Sequence, residues 1–402
     1  MPDPTTANRS PLDPTALDPV ALDPIDLLRT LIGIDSVNPD LVSGAAGEAR
    51  IAAWCAEWLN DRGFEVHRLE QRPGRPSIVG VFRGSGSGTG TGRSLMLNGH
   101  LDTVGVATYA GDPFSAQVRD GKIFGRGAFD MLGGVAAILV AAARAGAAGL
   151  AGDVIVTLVA DEEFGSLGTE EVLRRFRADA AIIAEPSGLE LTLAHRGFAW
   201  FNLELEGLAA HGSQPEQGVD AIYHAHLVMI ALDGLRERLE STPAHPTLGH
   251  GTVRVSKISG GDDAATVAAA CTLTLERRML PGQSTEYVES ELRGLLDELA
   301  ATVPGFRYRL SSLVARAAFE AHSDWPIVAA LHSSATRALG RPPAHRGEPF
   351  WTDAGLILES GIPCVVFGVD GGGAHADEEW ADVASVRALA AILEGTLRDF
   401  CA

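Results

Sequence analysis

Apolar residues along the chain fall into two kinds of pattern. From Ile25 to Ile34 and from Ala46 to Arg62 they recur at helical spacing, which predicts amphipathic helices. Short, nearly unbroken apolar runs follow: Ile78 to Phe82, Ser94 to Leu97, Val154 to Ala160, Ala181 to Ala184 and Cys364 to Phe367, each ending in polar residues or glycine. Runs of that length with helices between them predict strands buried on both faces, the parallel strands of a doubly wound α/β sheet. Val135 to Ala148 is apolar for longer but falls short of the roughly 20 residues of a membrane span, and reads as a buried helix.

A different order occupies His195 to Ala315. Alternation in Ala199 to Leu205 predicts a strand, followed by a helix from Asp220 to Leu239 and strands at Thr252 to Ile258 and Cys271 to Arg277. A helix from Ser284 to Ala301 and a strand near Phe306 to Leu310 complete it. Strand, helix, strand, strand, helix, strand is the split ferredoxin-like arrangement. Sheet-type runs resume afterwards, so the reading is a catalytic domain of residues 25–194 and 316–402 with an α+β domain, 195–315, inserted in it. Residues 1–24 repeat Leu-Asp-Pro at Leu12, Leu17 and Leu22, which predicts a poorly ordered leader. The glycine-rich segment Arg83 to Gly92 predicts a flexible surface loop.

Composition narrows the class. A chain of 402 residues with 46% apolar and 21% charged residues is globular and long enough for two domains. Its net charge of −20 repels phosphate backbones and anionic lipids, which argues against nucleic acid and membranes as partners. The start MPDPTTANRS has no basic run followed by an apolar one, so the expected address is the cytoplasm. Cys55, Cys271, Cys364 and Cys401 are too widely spaced for a zinc ribbon or a redox pair and read as buried thiols.

The candidate chemistry sits where the apolar runs end. The run at Leu95 delivers His100 and Asp102, the run at Val156 delivers Asp161, Glu162 and Glu163, and the run at Ala181 delivers Glu185. Ligands of open parallel sheets bind beyond the carboxyl ends of the strands, so these groups aim at one edge. Two glycine-rich pieces, one carrying Asp130 and one carrying His375, are read as reaching the same edge. Imidazole and carboxylate are zinc donors, and of two adjacent acids one can bind metal while the other moves protons. Each piece alone has a bland alternative: a chance His-x-Asp, a solvated acidic turn, a turn acid before Pro186, a satisfied core histidine. Their joint occurrence beyond apolar strands favours a site.

Seven pieces stand in the order of a known group: Asn98-Gly-His-Leu-Asp-Thr-Val, Gly125-Arg-Gly-Ala-Phe-Asp-Met, Asp161-Glu-Glu, Glu185-Pro-Ser, Ala210-His-Gly-Ser-Gln-Pro, Glu276-Arg-Arg-Met-Leu-Pro-Gly and Ala374-His. From about Ile25 to its C-terminus the chain resembles the acetylornithine deacetylase, succinyl-diaminopimelate desuccinylase and glutamate carboxypeptidase family of dinuclear zinc hydrolases. The resemblance implies two Zn2+ per chain, with Co2+ or Mn2+ accepting the same donors. It makes Asp130 the bridge, puts His100 and Glu185 on one ion, and puts Glu163 and His375 on the other. It further implies Glu162 as general base and Asp102 as the residue orienting His100.

The same resemblance makes the inserted domain a lid and the dimerisation surface of a homodimer. His211 would then reach the partner's site, and Arg278 would bind a substrate carboxylate. The plainer alternatives are a surface histidine and a surface pair between Arg278 and Glu276. Thr352 and Asp353 match a family pattern as structural support. Leu132, Glu276, Ala265 and Ala268 depart from the residues many members carry, so the specificity of the named enzymes does not transfer. The expected reaction is hydrolysis of a linear amide next to a free carboxylate, deacylating an N-acyl amino acid. A dipeptidase or carboxypeptidase with the same metals is the second reading. A metal-containing binding protein without turnover is the third, and the intact Glu162 argues against it.

Overall fold

The computed structural model describes residues 22–88 and 91–402, and the chain divides into two compact units. One comprises the residues up to Leu189 with Ala329–Pro343 and Phe367–Ala402; the other comprises Glu190–Val328 with Ala344–Val366.

In the first unit the strands lie in the order Glu65–Leu69, Ser77–Phe82, Val154–Val159, Leu95–His100 and Ala180–Ile183. The last three are buried along their whole length, as nearly continuous apolar runs require when both faces are covered. Leu95–His100 runs parallel to both of its neighbours. The expectation of parallel strands fails at Ser77–Phe82, which is antiparallel to Glu65–Leu69 and to Val154–Val159. The connection 70–76 is too short for the crossover that a parallel neighbour needs, so the sheet is mixed.

Helix Ala49–Asn60 covers the first two strands, and helix Gly133–Ala148 lies against Leu95–His100, Val154–Val159 and helix Val383–Phe400. Gly133–Ala148 is buried, as expected; with the turn before it, Ala128–Ala148 is long and apolar enough to cross a membrane, yet it lies mostly inside the protein. It approaches the strand end closely. A Cβ on Gly134 would fall 2.2 Å from the Ala184 carbonyl oxygen, so only glycine lets the helix pass there.

Most of the expected leader lies outside the described residues, but its last repeat does not, and there the expectation is corrected. Leu22 is 1% exposed, Asp23 caps helix Pro24–Ile32 by accepting the Ile25 N–H, and Pro24 takes the first helical position. Asp-Pro before an apolar helix is a start signal, so the last repeat opens a helix. The glycine-rich segment 83–92 lies partly outside the described residues; within it, the Ser85 and Gly86 N–H groups donate to the Leu150 and Ala151 carbonyls.

The second unit holds an antiparallel sheet in the order Thr252–Gly260, Ala270–Met279, Gly197–Glu206 and Arg307–Arg316, with helices Ala221–Ser241 and Thr285–Thr302. All six elements expected between 195 and 315 form, in ferredoxin-like order. Phe201, Leu203 and Leu205 share a core with Val228, Leu232 and Leu292. Asp220 and Ser284 cap the two helices through their side chains. The last strand runs past the expected Leu310 because its pairing with Gly197–Glu206 continues across a bulge to Arg316. Leu191–His195 pairs with Phe319–Glu320, His345–Glu348 and Cys364–Val366.

Candidate metal centre

His100 is the last residue of its strand and is 1% exposed. Its Nδ1 lies 2.9 Å from the Asp102 carbonyl oxygen, an acceptor, so Nδ1 carries the hydrogen. Nε2 consequently faces carboxylates, 3.2 Å from Asp130 Oδ1 and 3.7 Å from Glu185 Oε1. Asp130 sits in the turn Ala128–Leu132 that precedes the buried helix. Its Oδ2 is 3.4 Å from His375 Nε2, which is itself 2.9 Å from Glu163 Oε2. The His375 side chain is 54% exposed, so this side of the cluster opens to solvent. Donor atoms of His100, Asp130 and Glu163 all lie within 4.8 Å of one another, as do those of His100, Glu162 and Glu185. All six residues belong to the first unit, with Asp130 between the two imidazoles.

The acidic turn is held from behind. Beyond Val159 the chain turns with Asp161 at φ 69°. Asp102 Oδ1 accepts the backbone N–H of Glu162 and Oδ2 that of Glu163, each at 3.1 Å. The Asp102 carboxylate is 3.7 Å from His100 Nδ1, so the contact that orients the imidazole comes from the main chain. Asn38 Nδ2 donates to Asp102 Oδ2 at 2.8 Å and to Asp161 Oδ1 at 3.1 Å. Arg75 Nη2 donates to Glu48 Oε1 at 2.7 Å and to Asp161 Oδ1 at 2.8 Å, its Nε reaches Glu48 Oε2 at 2.7 Å, and its Nη1 pairs with Asp40. Asn38, Glu48, Arg75 and Asp161 are buried. The sequence reading missed the supporting roles of Asn38, Glu48 and Arg75, which carry no motif spacing.

The electrostatics of the cluster ask for positive charge. Burial, then the Asp130 charge, pushes the Glu163 carboxyl up to about 7 against the pull of His375. Hydrogen bonds to Asp130 and Glu163 carry His375 up to about 10. Burial opposes a charge on His100, but Asp130, Glu185, Glu162 and Asp102 outweigh it and raise the imidazole well above its ordinary value. Burial alone would also raise Asp130; hydrogen bonds from the two imidazoles hold it well below the usual carboxylate range instead. A neutral His100 would turn its Nε2 lone pair toward two carboxylates, which is repulsive unless a proton or a metal ion lies between. Glu163 Oε1 is buried and has no hydrogen-bond partner among the described residues. Imidazole nitrogens and carboxylate oxygens so arranged fit a divalent metal.

The other two expected site residues lie in the second unit. His211 is exposed, and its Nδ1 accepts the Ser213 N–H at 3.2 Å and is 2.8 Å from Ser213 Oγ. Arg278 Nε donates to Glu276 Oε1 at 2.8 Å, and its guanidinium lies 5.4 Å from the Phe198 ring centroid. Glu276 also accepts from Arg254 at 2.8 Å and from Trp200 Nε1 at 3.2 Å. The pair with Glu276 engages Nε of Arg278 and leaves its two Nη groups outside that bond.

Comparison with known proteins gives a consistent result. A model of peptidase family M20/M25/M40 matches residues 96–399. The chain is 32% identical over 282 residues to the acetylornithine deacetylase of Vibrio campbellii, spanning 68% of this chain and 73% of that one. It is 28% identical over 372 residues to the N-formyl-4-amino-5-aminomethyl-2-methylpyrimidine deformylase of Bacillus subtilis, spanning 85% and 86%. Among solved structures, a tripeptidase of Staphylococcus aureus superposes with a TM-score of 0.78 at 21% identity, covering 94% of this chain and 98% of that one. A dinuclear metal binding peptidase of the M20 family from Bacillus subtilis superposes with a TM-score of 0.71 at 16% identity, covering 94% and 98%.

Proposed function

The chain belongs to peptidase family M20/M25/M40 and is a metal-dependent hydrolase of amide or peptide bonds, and from that premise we propose that it deacylates an N-acyl amino acid with Glu162 as general base. The observation that carries this reading is the convergence of the His100 and His375 imidazoles with the Asp130, Glu163 and Glu185 carboxylates, with the Glu162 carboxylate beside His100 and Glu185. Relatives named for removing acetyl and formyl groups support deacylation over peptide cleavage.

Two divalent ions, zinc in our reading, would be held with Asp130 shared, His100 and Glu185 on one, and Glu163 and His375 on the other. When bound they supply Lewis acidity toward the amide carbonyl and a water of lowered pKa. Glu162 takes a proton from the attacking water and delivers it to the leaving nitrogen. Asp102 fixes the turn that carries Glu162 and, through its carbonyl, the Nδ1–H tautomer of His100. Arg278 is our candidate for the substrate carboxylate, since a planar fork suits that group. In a homodimer, with the ferredoxin-like domain as lid and dimer surface, His211 of the partner subunit donates to the developing oxyanion.

Zinc-loaded and cobalt-loaded protein, given matched N-acetyl and N-formyl amino acids and dipeptides, tests this by amine release. Faster turnover of the acyl amino acids is expected. Turnover of dipeptides alone would favour the peptidase reading, and binding without turnover the binding-protein reading.

A further inference from the structure

Glu379 follows His375 closely and is 1% exposed. Its carboxylate is surrounded by donors. Oε1 accepts the backbone N–H groups of Phe129 and Asp130, each at 2.9 Å. Oε2 accepts the Gly127 N–H at 3.0 Å and Arg126 Nη1 at 2.8 Å. Arg126, also buried, sends Nη2 to the Ala376 carbonyl at 2.8 Å, while the Glu379 carbonyl accepts the Gly125 N–H at 3.1 Å. Gly127 has φ 77°, and a Cβ there would lie 2.7 Å from Thr103 Cγ2. Glycine therefore permits the left-handed turn that points three amides at one carboxylate, a nest for negative charge.

Two segments far apart in the chain, 125–130 and 375–379, thus share one buried ion pair, and each carries a proposed metal ligand. Exposed ion pairs fix geometry poorly because water competes for both partners. Here both partners are buried and bonded to main chain on the opposite segment, so displacing either segment breaks several charge-assisted bonds at once.

We propose that Glu379 and Arg126 are a positioning pair that sets the placement of Asp130 relative to His375, so that metal affinity depends on a carboxylate outside the donor set. The inference rests on the ligand roles proposed for Asp130 and His375. Groups that orient ligands in this way typically change metal affinity by about 10- to 100-fold when altered. Glu379→Gln keeps the shape but turns an amide N–H toward groups that are themselves donors.

The test uses metal-stripped Glu379→Gln, Arg126→Lys and the double variant, titrated with Zn2+ against a chromophoric chelator, with melting of the stripped proteins followed in parallel. Each single variant is expected to lose about 10- to 100-fold in Zn2+ affinity. The double variant should lose no more than the larger single loss, because the two side chains act as one unit. Glu378→Gln, whose side chain is 52% exposed, serves as the neighbouring control with unchanged affinity. A lowered melting temperature with native affinity, or two independent additive losses, would overturn the inference. Arg126→Lys keeps the positive charge and carries the test by itself if Glu379→Gln does not fold. Asp130→Ala separates the two levels. If it loses Zn2+ while the positioning variants do not, the ligand assignment stands and this inference falls; if it too keeps native affinity, both fall.

Discussion

Asp102 Oδ1 accepts the backbone N–H of Glu162 at 3.1 Å, so the turn that carries the proposed base is held by a bond that a side-chain substitution leaves in place. Glu162→Gln is therefore expected to retain its metal while turnover falls by at least the roughly 10²-fold typical of a general acid-base group. Metal analysis beside the rate decides the point. Metal lost together with activity would make Glu162 a ligand, a role that the nearness of its carboxylate to His100 and Glu185 also permits.

Arg75 is the cation among the buried carboxylates of Glu48 and Asp161. Removing one partner of a buried pair leaves the other uncompensated, so Arg75→Met should cost about 3–5 kcal/mol in urea unfolding. Adding Glu48→Gln should restore part of the loss, since deleting both partners costs less than deleting one. A change within about 0.5 kcal/mol, the range of ordinary surface substitutions, would show that the network contributes no stability.

His195 is fully buried against Phe319 and Trp351, with Nδ1 3.0 Å from the Arg196 carbonyl oxygen, and burial lowers its pKa to about 4. In the unfolded chain histidine titrates near 6.5. The unfolded state therefore takes up a proton first as pH falls, and stability present above pH about 6.5 drains away down to about 4. The loss is on the order of 3 kcal/mol. Urea midpoints of native and His195→Gln protein between pH 7 and 4 should converge. Parallel curves would leave His195 without a part in the acid limb.

If Arg278 binds the substrate carboxylate, converting that group to an amide should cost the native protein roughly 10- to 100-fold in kcat/KM, the range of hydrogen bonds to charged groups. The same change should matter little to Arg278→Ala. Equal sensitivity in both proteins would return Arg278 to its pair with Glu276 alone.

For His211, Glu162→Ala and His211→Ala chains, each inactive alone, are mixed under conditions of subunit exchange. One site of the heterodimer then combines an intact Glu162 with His211 of the partner subunit, so activity should recover to about a quarter of native by random two-subunit pairing. Exchange without recovery would confine His211 to its own chain or to no catalytic role.

The proposed donors stood out because strands buried on both faces read as apolar runs, and His100, Glu163 and Glu185 lie at or just beyond the ends of such runs. Strand direction is not written in composition, which is why Ser77–Phe82 defied the parallel expectation. Leu22 was hidden by its likeness to Leu12 and Leu17, although its Asp-Pro also starts a helix. Apart from Asp102, the support of the centre was not legible. Arg75 meets Asp161 and Arg126 meets Glu379 across long stretches of chain, and no spacing records such a meeting.

The distribution of the proposed donors along the chain also sets an order of events during synthesis. His100, Asp130, Glu163 and Glu185 are made early, whereas His375 and Glu379 follow after nearly half the chain. At about 5–20 residues per second that delay is roughly 10–40 s. A nascent chain passes through that interval without the second imidazole and without the carboxylate that accepts the Asp130 N–H. If His375 is a ligand as proposed, a chain truncated before its last segment keeps the donors of His100, Asp130, Glu163 and Glu185 but should hold Zn2+ more weakly than the full chain.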